Sequence, residues 1–597
     1  MNDDLPDVRI TEDEPSVDAR PTDSGEGTRA SPALARALRA TAPPRRNASI
    51  PVHERTGAVR ERRRLALAGL SALLGLLALA LFMTWEWRNS AGVTYSHWGP
   101  LGKAAGDDYD EGAYTLAAQS LNRGYALFGQ VFSAQPAFFL PSLAFAVRLV
   151  PDPLAGARLY EAASGALTLV AVYLLATTAY RALAGPLAVV LLAVSPGFLL
   201  YAHAVESEMP MLALCTLAVA AAQWYYLRPQ RVAAALAGLL LMAGTETKLL
   251  SVVAVAPLAL LLGGGLWYGY HGGRPARALL LDIGAFLLAL LAPALLVLLL
   301  VAPAAQWDQV IVFHLRSGHV PPTVLPPSLP SNGDALKTFL GYDVGLLVAA
   351  VAGLVVAALS ILGPGSRAGA DPARARKGAL PLVYLLWALS TGLFLSRYHP
   401  LFQHQFAPLL PPLALLGAGL AMARTAAVAK RPALSGHQRP RAREGRLRAM
   451  SGCLALAIAS LAGLAYAVLL VRSTLTLDGR LFTPAVAPRR AALVALLERV
   501  TRPDDLVICD DPNVALGARR RVAPGLEDPS RVRAASGYLT ATQVEAATLR
   551  YHVAAIVASR PMFALYLPAY LAWAAARYRA VPSPTTGARV YVRALTP

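Results

Sequence analysis

Four carboxylates, Asp107, Asp108, Asp110 and Glu111, crowd five positions of the stretch AAGDDYDEGAYTLAAQSLNRG, residues 104–124. A carboxylate held within hydrogen-bond reach of a hydroxyl can take its proton. A solvated acidic loop has the same composition, so position decides between the two. DEGAYTLAAQSLNRGYALFG has helical spacing, with Tyr114, Ala117, Ala118 and Leu121 on one face, which predicts an amphipathic helix lying on a bilayer surface. Asp110 and Glu111 open that helix. Adjacent residues point in different directions, so one can face a cleft while the other caps free amides.

Cations recur at three further places. Lys248 lies in GTETKLL, His314, Arg316 and His319 in FHLRSGHVPP, and Arg397, His399 and His404 in SRYHPLFQHQF. Positive groups of this kind hold an anion such as a lipid phosphate as its negative charge grows. Each has a plainer use. Lys248 can snorkel beside Glu246, and the Arg and His residues can sit in loops or anchor headgroups. Histidines and acids gathered on one face can also hold a divalent ion, although these spacings match no tight ligand motif and no cofactor is required by them.

The elements that must position these groups are membrane spans. The 597 residues are 55% hydrophobic and only 15% charged, with mean hydropathy +0.46, where a soluble domain carries nearer a quarter charged residues. The apolar runs are continuous and Leu/Ala/Val-rich without alternation, so they are helices and not barrel strands. Spans are expected at 65–83, 157–179, 183–202, 209–227, 231–244, 249–269, 279–302, 341–362, 379–396, 405–423 and 451–471, about eleven, the fifth being short. The net charge of +19 lies between the spans, where the positive-inside rule accounts for it, so no nucleic-acid partner is expected. Cys215, Cys453 and Cys509 give neither a disulfide framework nor a metal spacing. No cleavable signal is visible, and the run starting at Leu65 reads as a first anchor.

Residues 1–62, acidic and then basic up to RERRR, have few large apolar groups and are expected to be a disordered cytoplasmic tail. The basic loops, AKRPALSGHQRPRAREGRLR the densest, then fall on the cytoplasmic side. The loops at 84–156 and 303–340 fall on the opposite side, together with everything after 472. PPTVLPPSLP at 321–330 reads as a stiff connector, and Asp282 as structural. Residues 473–597 carry short β-branched runs (DDLVICDD, RRRVAP, HVAAIVASR, ARYRAVPS, ARVYVRAL) between helical stretches such as RRAALVALLERV, predicting a small extracytoplasmic α/β domain. Its Asp510 and Asp511 follow a strand, where they can bind a ligand or make a turn before Pro512.

DEGAY, AQPAFFLPSLAFAV and ARLYEAASGALTLVAVYLLATTAYRALAGPLAVVLLAVSPGFLLYAHAVESEMPM, in that order, resemble the GT-C glycosyltransferases. The likeness is to the branch of protein O-mannosyltransferases and lipid A aminoarabinose transferases, over roughly residues 60–425. It implies a GT-C-like transmembrane domain over 63–472 and a membrane enzyme that moves a hexosyl or pentosyl group. The sugar would pass with inversion from a polyprenyl-phosphate donor to a protein, lipid or cell-wall glycan acceptor on the outer face. Asp110 matches the first-loop base and Glu111 the acid that often follows it. In ESEMP, Glu208 fits the second acid better than Glu206, and Lys248 matches the lysine near the fifth and sixth spans. Gln135 precedes Pro136 where the family often carries a charge. The phosphate would then meet Lys248, His314, Arg316, Arg397, His399 and His404. The alternative is a transporter or lipid flippase, which would concentrate ionisable groups near the bilayer midplane.

Overall fold

The computed structural model describes residues 52–90, 109–320, 332–362, 372–398, 401–423, 442–481 and 488–594. Asp107, Asp108, His399, the proline run at 321–330, most of the tail and most of the basic loop after 423 lie outside the described residues.

The chain is a multi-pass helical membrane protein. Among the described residues, nine helices are long and apolar enough to cross a bilayer. The pair Ala184–Ala193 and Pro196–His203, bent by 69°, is apolar enough to make a tenth when its two halves are taken together. The expected fifth span is the helix Arg231–Thr245, whose 15 residues are short for a crossing. Leucines on Ala276–Leu300 that would be buried in a soluble protein stand exposed, Leu288 at 70% and Leu299 at 73%, as a lipid-facing helix requires.

Local chemistry sets the breaks. Asp152 caps the helix Pro153–Ala179 by accepting from the Ala155 amide at 3.0 Å, with Pro153 at the first helical position. Pro196 starts the second half of the bent span in the same way behind Ser195. At that bend the Ser195 hydroxyl donates to Asp343 Oδ1 at 2.5 Å. Asp343 itself sits at a non-helical point inside Asn332–Leu362, so two helix breaks meet and satisfy each other. Asp282 is buried between Arg274 at 2.9 Å and Arg231 at 3.7 Å and accepts from the Tyr225 hydroxyl at 3.0 Å.

The C-terminal region folds as a five-stranded sheet of order β2-β1-β3-β5-β4. Its strands are β1 Leu506–Cys509, β2 Arg521–Val522, β3 Ala555–Ala558, β4 Tyr578–Val581 and β5 Arg589–Arg593. β2, β1 and β3 are parallel, with Val507 opposite Ala555; β5 runs antiparallel to β3 and β4. The acids after β1 make turns and caps. Asp510 Oδ1 accepts from the Ser559 and Arg560 amides at 2.7 and 3.0 Å. Asp511 caps Pro512–Gly517 and is held by Arg490 at 3.2 Å.

Two cores result. One fills the helical bundle. The other is shared between the first-loop helices and the C-terminal sheet: Leu116, Phe139 and Leu143 pack in one cluster with Leu493, Val507, Ile556 and Phe563. The first-loop helix spans Tyr109–Asn122, stops short of the expected end, and is covered where a surface helix would be bare. Ala117 and Ala118 are 3% and 0% exposed. It packs against Phe139–Leu149 and Pro512–Gly517. Tyr109 donates from its hydroxyl to Asp528 at 3.0 Å.

Candidate active site

The first turn of Tyr109–Asn122 separates the two neighbouring acids. Glu111 is fully buried and takes a two-pronged bond from Arg158, Nε at 2.7 Å and Nη2 at 2.9 Å. Burial nevertheless keeps the Glu111 carboxyl above its usual range, with Arg158 pulling the other way. This pair ties the first-loop helix to the span Pro153–Ala179. Asp110 is only half-buried. One turn later Tyr114 lies within electrostatic reach of both Asp110 and Glu208. Gln135, where a charge was the family habit, donates to the Tyr114 hydroxyl at 3.2 Å. Burial raises the Tyr114 phenol well above its ordinary value, which keeps it neutral.

Glu208 opens the helix Glu208–Leu227. Lys248 reaches it from the turn between Arg231–Thr245 and the next span, with Nζ 2.6 Å from Glu208 Oε1 and a bond to the Ser207 hydroxyl at 3.0 Å. Burial pulls the lysine down, but the Glu208 carboxylate more than offsets it, and the ammonium is held above its usual range. His404, at the start of the turn Gln403–Leu409, places Nε2 3.4 Å from Glu208 and Nδ1 3.0 Å from Glu206. Phe402 stacks on its ring at 5.6 Å. Tyr398 lies within electrostatic reach of both Lys248 and Glu208.

The other cations divide. His314 is near enough to Lys248 to feel it, and burial lowers its pKa. Its Nδ1 sits 2.6 Å from the Val310 carbonyl, so the neutral ring donates there and leaves Nε2 as an acceptor. Arg316 is exposed and lies 5.4 Å over the Tyr538 ring of the C-terminal region. His319 is exposed and holds the Leu315 carbonyl. Arg397 is exposed at the end of Pro372–Arg397. The structure therefore gathers Glu208, Lys248 and His404 at one point, leaves Asp110 within electrostatic reach of the same Tyr114 phenol as Glu208, and sets Arg316 apart on the sheet side.

Glu206, Glu208 and His404 offer three ligand atoms within 4.8 Å of one another, a donor set suited to a divalent ion. Lys248 already supplies a positive charge against Glu208 at 2.6 Å, so a metal there would have to displace or share with the ammonium. What the arrangement offers as it stands is a half-buried carboxylate, Asp110, together with a buried cation, Lys248, anchored by a second carboxylate, Glu208. Groups of these two kinds can accept a proton and stabilise an anion.

Several residues of this arrangement were not singled out from the sequence. Tyr114, Ser207 and Tyr398 are neutral and gave no signal. Arg158 and Glu161 did give one: charges inside an apolar span are costly without a partner. Both are buried, and Glu161 lies in the field of Glu206, Glu208 and Glu111.

No protein-family model matches the sequence, and no curated protein matches it. Solved structures do. ArnT from Cupriavidus metallidurans bound to undecaprenyl phosphate superposes with TM-score 0.54 at 16% identity, over 88% of this chain and 98% of that one. The apo state of the same ArnT gives TM-score 0.50 at 14% identity, over 81% and 92%. An Archaeoglobus fulgidus oligosaccharyltransferase in its apo form gives TM-score 0.45 at 12% identity, over 87% and 74%. These neighbours are GT-C glycosyltransferases, and the fold of this chain is the GT-C fold.

Proposed function

We propose that this chain is an inverting glycosyltransferase that moves a hexosyl or pentosyl group from a polyprenyl-phosphate donor to an acceptor hydroxyl. It does so at the outer face of the membrane, with the C-terminal α/β region on that side and the N-terminus in the cytoplasm. The acceptor is a protein, a lipid or a cell-wall glycan. What supports the reading is the Glu208–Lys248–His404 cluster, with Asp110 and Glu208 both within electrostatic reach of the Tyr114 phenol, at the end of the bundle covered by the C-terminal sheet. The GT-C fold, shared with an ArnT bound to undecaprenyl phosphate, supports the donor class.

In this reaction Asp110 accepts the acceptor's hydroxyl proton as that oxygen attacks the anomeric carbon. The bond from that carbon to the phosphate oxygen breaks on the opposite face, and the lipid phosphate leaves with the electron pair. Lys248 meets the growing charge on the phosphate. Glu208 and the Ser207 hydroxyl fix the ammonium so that little reorganisation is needed. His404 braces Glu208 and Glu206. Glu111 works at one remove: its bond to Arg158 sets the pitch of the helix that carries Asp110.

The test is a transfer assay with purified full-length protein and a panel of polyprenyl-phosphate sugars. Asp110→Asn should lose about 10²–10⁴-fold in rate with an unchanged melting temperature. Transfer at the wild-type rate by Asp110→Asn, or no transfer from any donor, would overturn the proposal. The meeting of two helix breaks at Ser195 and Asp343, deep in the bundle, is what a transporter would exploit. Donor or lipid flux across proteoliposomes without any acceptor, at rates untouched by Asp110→Asn, would favour that reading instead.

A further inference from the structure

At the end of the bundle away from the acids, four helices part around a cleft of about 930 Å³. They are Pro153–Ala179, Glu208–Leu227, Arg231–Thr245 and Pro372–Arg397. Glu208 starts its helix, and Trp224 and Leu227 lie at its other end. At 1.5 Å rise per residue the part of this helix that lines the cleft, from Leu217 to Arg228, therefore lies roughly 14–30 Å from Glu208. The cleft belongs to neither the acids nor the sheet.

Its walls are apolar, with Leu174, Leu217, Leu236 and Leu240 among them, and Trp224 at the rim. Three cations, Arg228, Arg376 and Lys377, line its mouth, and no carboxylate is among the described residues lining it. Arg228 and Lys377 are exposed. Arg376 is different. Its guanidinium lies over the Tyr268 ring at 4.6 Å, which fixes its position, and the Tyr226 hydroxyl holds its carbonyl at 3.2 Å. Its Nε is buried and has no hydrogen-bond partner. A fixed arginine beside two more cations, with no carboxylate among the described residues lining the cleft, points to an anion that the protein does not itself provide.

A free phosphate would use the cations and leave the leucine walls idle. A neutral acyl chain would do the reverse. A tryptophan at the junction of the two zones suits the headgroup level of a bilayer. A cleft of this volume accepts the upper parts of two acyl chains. We infer that this cleft binds an anionic glycerophospholipid, its phosphate on Arg376, Lys377 and Arg228 and its chains along Leu217, Leu236 and Leu240. The site is a structural lipid site separate from the proposed donor site, and it stands whether or not the chain is a glycosyltransferase.

Native mass spectrometry of the purified full chain, exchanged into equal amounts of phosphatidylglycerol and phosphatidylcholine with the same chains, tests this. Juxtamembrane cations contribute about 1 kcal/mol each to anionic lipid binding, so the first retained phosphatidylglycerol should outlast phosphatidylcholine by about tenfold or more. Arg376→Gln with Lys377→Gln should remove that preference. Leu217→Trp, which fills the cleft and keeps the charges, should lower retention of both lipids. A diazirine-bearing phosphatidylglycerol should crosslink within residues 217–240. The inference is overturned if the two lipids are held equally, if the double Gln variant keeps the preference, or if millimolar inorganic phosphate displaces the lipid. Preferential displacement by undecaprenyl phosphate would also overturn it, by assigning the cleft to the carrier instead. If the double variant does not fold, Arg228→Gln and the crosslink position still decide.

Discussion

At the scale of single residues, the pair Lys248–Glu208 has a structural and a chemical use that can be separated. Removing the lysine charge strands Glu208 in a buried place, so Lys248→Met should cost about 3–5 kcal/mol. Adding Glu208→Gln should return most of that stability, read as melting temperature, while transfer stays lost. Recovery of transfer in the double variant would show that neither charge takes part in the reaction. Outside the membrane, Asp510 makes a pH prediction. Burial pushes its carboxyl up to about 7, against the hydrogen bonds from Arg560 and Ser559. A raised acid contributes stability that is complete below its unfolded pKa and fades as pH climbs through the folded one. The melting temperature of the wild type should therefore fall between pH 5 and pH 8 more steeply than that of Asp510→Asn, which keeps the acceptor oxygen but cannot ionise. Parallel slopes would contradict this. A charge beside an apolar run demands an explanation, which is how the sequence draws attention to Asp110 and Lys248, whereas Glu208 is singled out only by the family resemblance. Helical spacing alone could not tell Asp110 from Glu111, since consecutive helix positions differ only in the direction they face; the resemblance alone named Asp110 as the base. That direction was decided by Arg158, 47 residues away along the chain.

At the scale of elements, the first-loop helix depends on a close approach that glycine permits. A Cβ on Gly112 would stand 2.7 Å from Asn513 Oδ1 and 2.8 Å from the Asn513 amide nitrogen. The side chain can swing aside, but the backbone nitrogen cannot. Gly112→Ala should force the helix and the C-terminal region apart, costing about 1–3 kcal/mol and slowing transfer through displacement of Asp110. Gly284→Ala, where a Cβ meets nothing within 4 Å, is the control and should change neither melting nor rate. The helix itself was visible in the spacing of Tyr114, Ala117 and Ala118, but its covering was not. An apolar face has the same pattern whether it meets lipid or protein. The same ambiguity explains the short helix Arg231–Thr245, which composition alone marks as a span.

At the scale of the whole molecule, the spans and the terminal α/β region could be read from composition, because apolar runs and β-branched alternation are local signals. The docking of the two regions could not, because it joins segments several hundred residues apart. Leu116 and Phe139 share a core with Val507 and Phe563, so the C-terminal α/β region is part of the scaffold of the first loop. Truncation after residue 487 should abolish transfer even though every candidate catalytic side chain remains, and hydrogen exchange over 109–122 should rise towards that of an unfolded peptide. Retained protection there would show that the bundle alone holds the loop. This shared core also sets an order of events in biosynthesis. Asp110 emerges early from the ribosome, whereas the wall that holds its helix is made last. A partly synthesised chain with its spans already inserted would carry all the reactive groups of the site and still be inert. On the proposed function, chemistry would begin only when the C-terminal strands close over the loop.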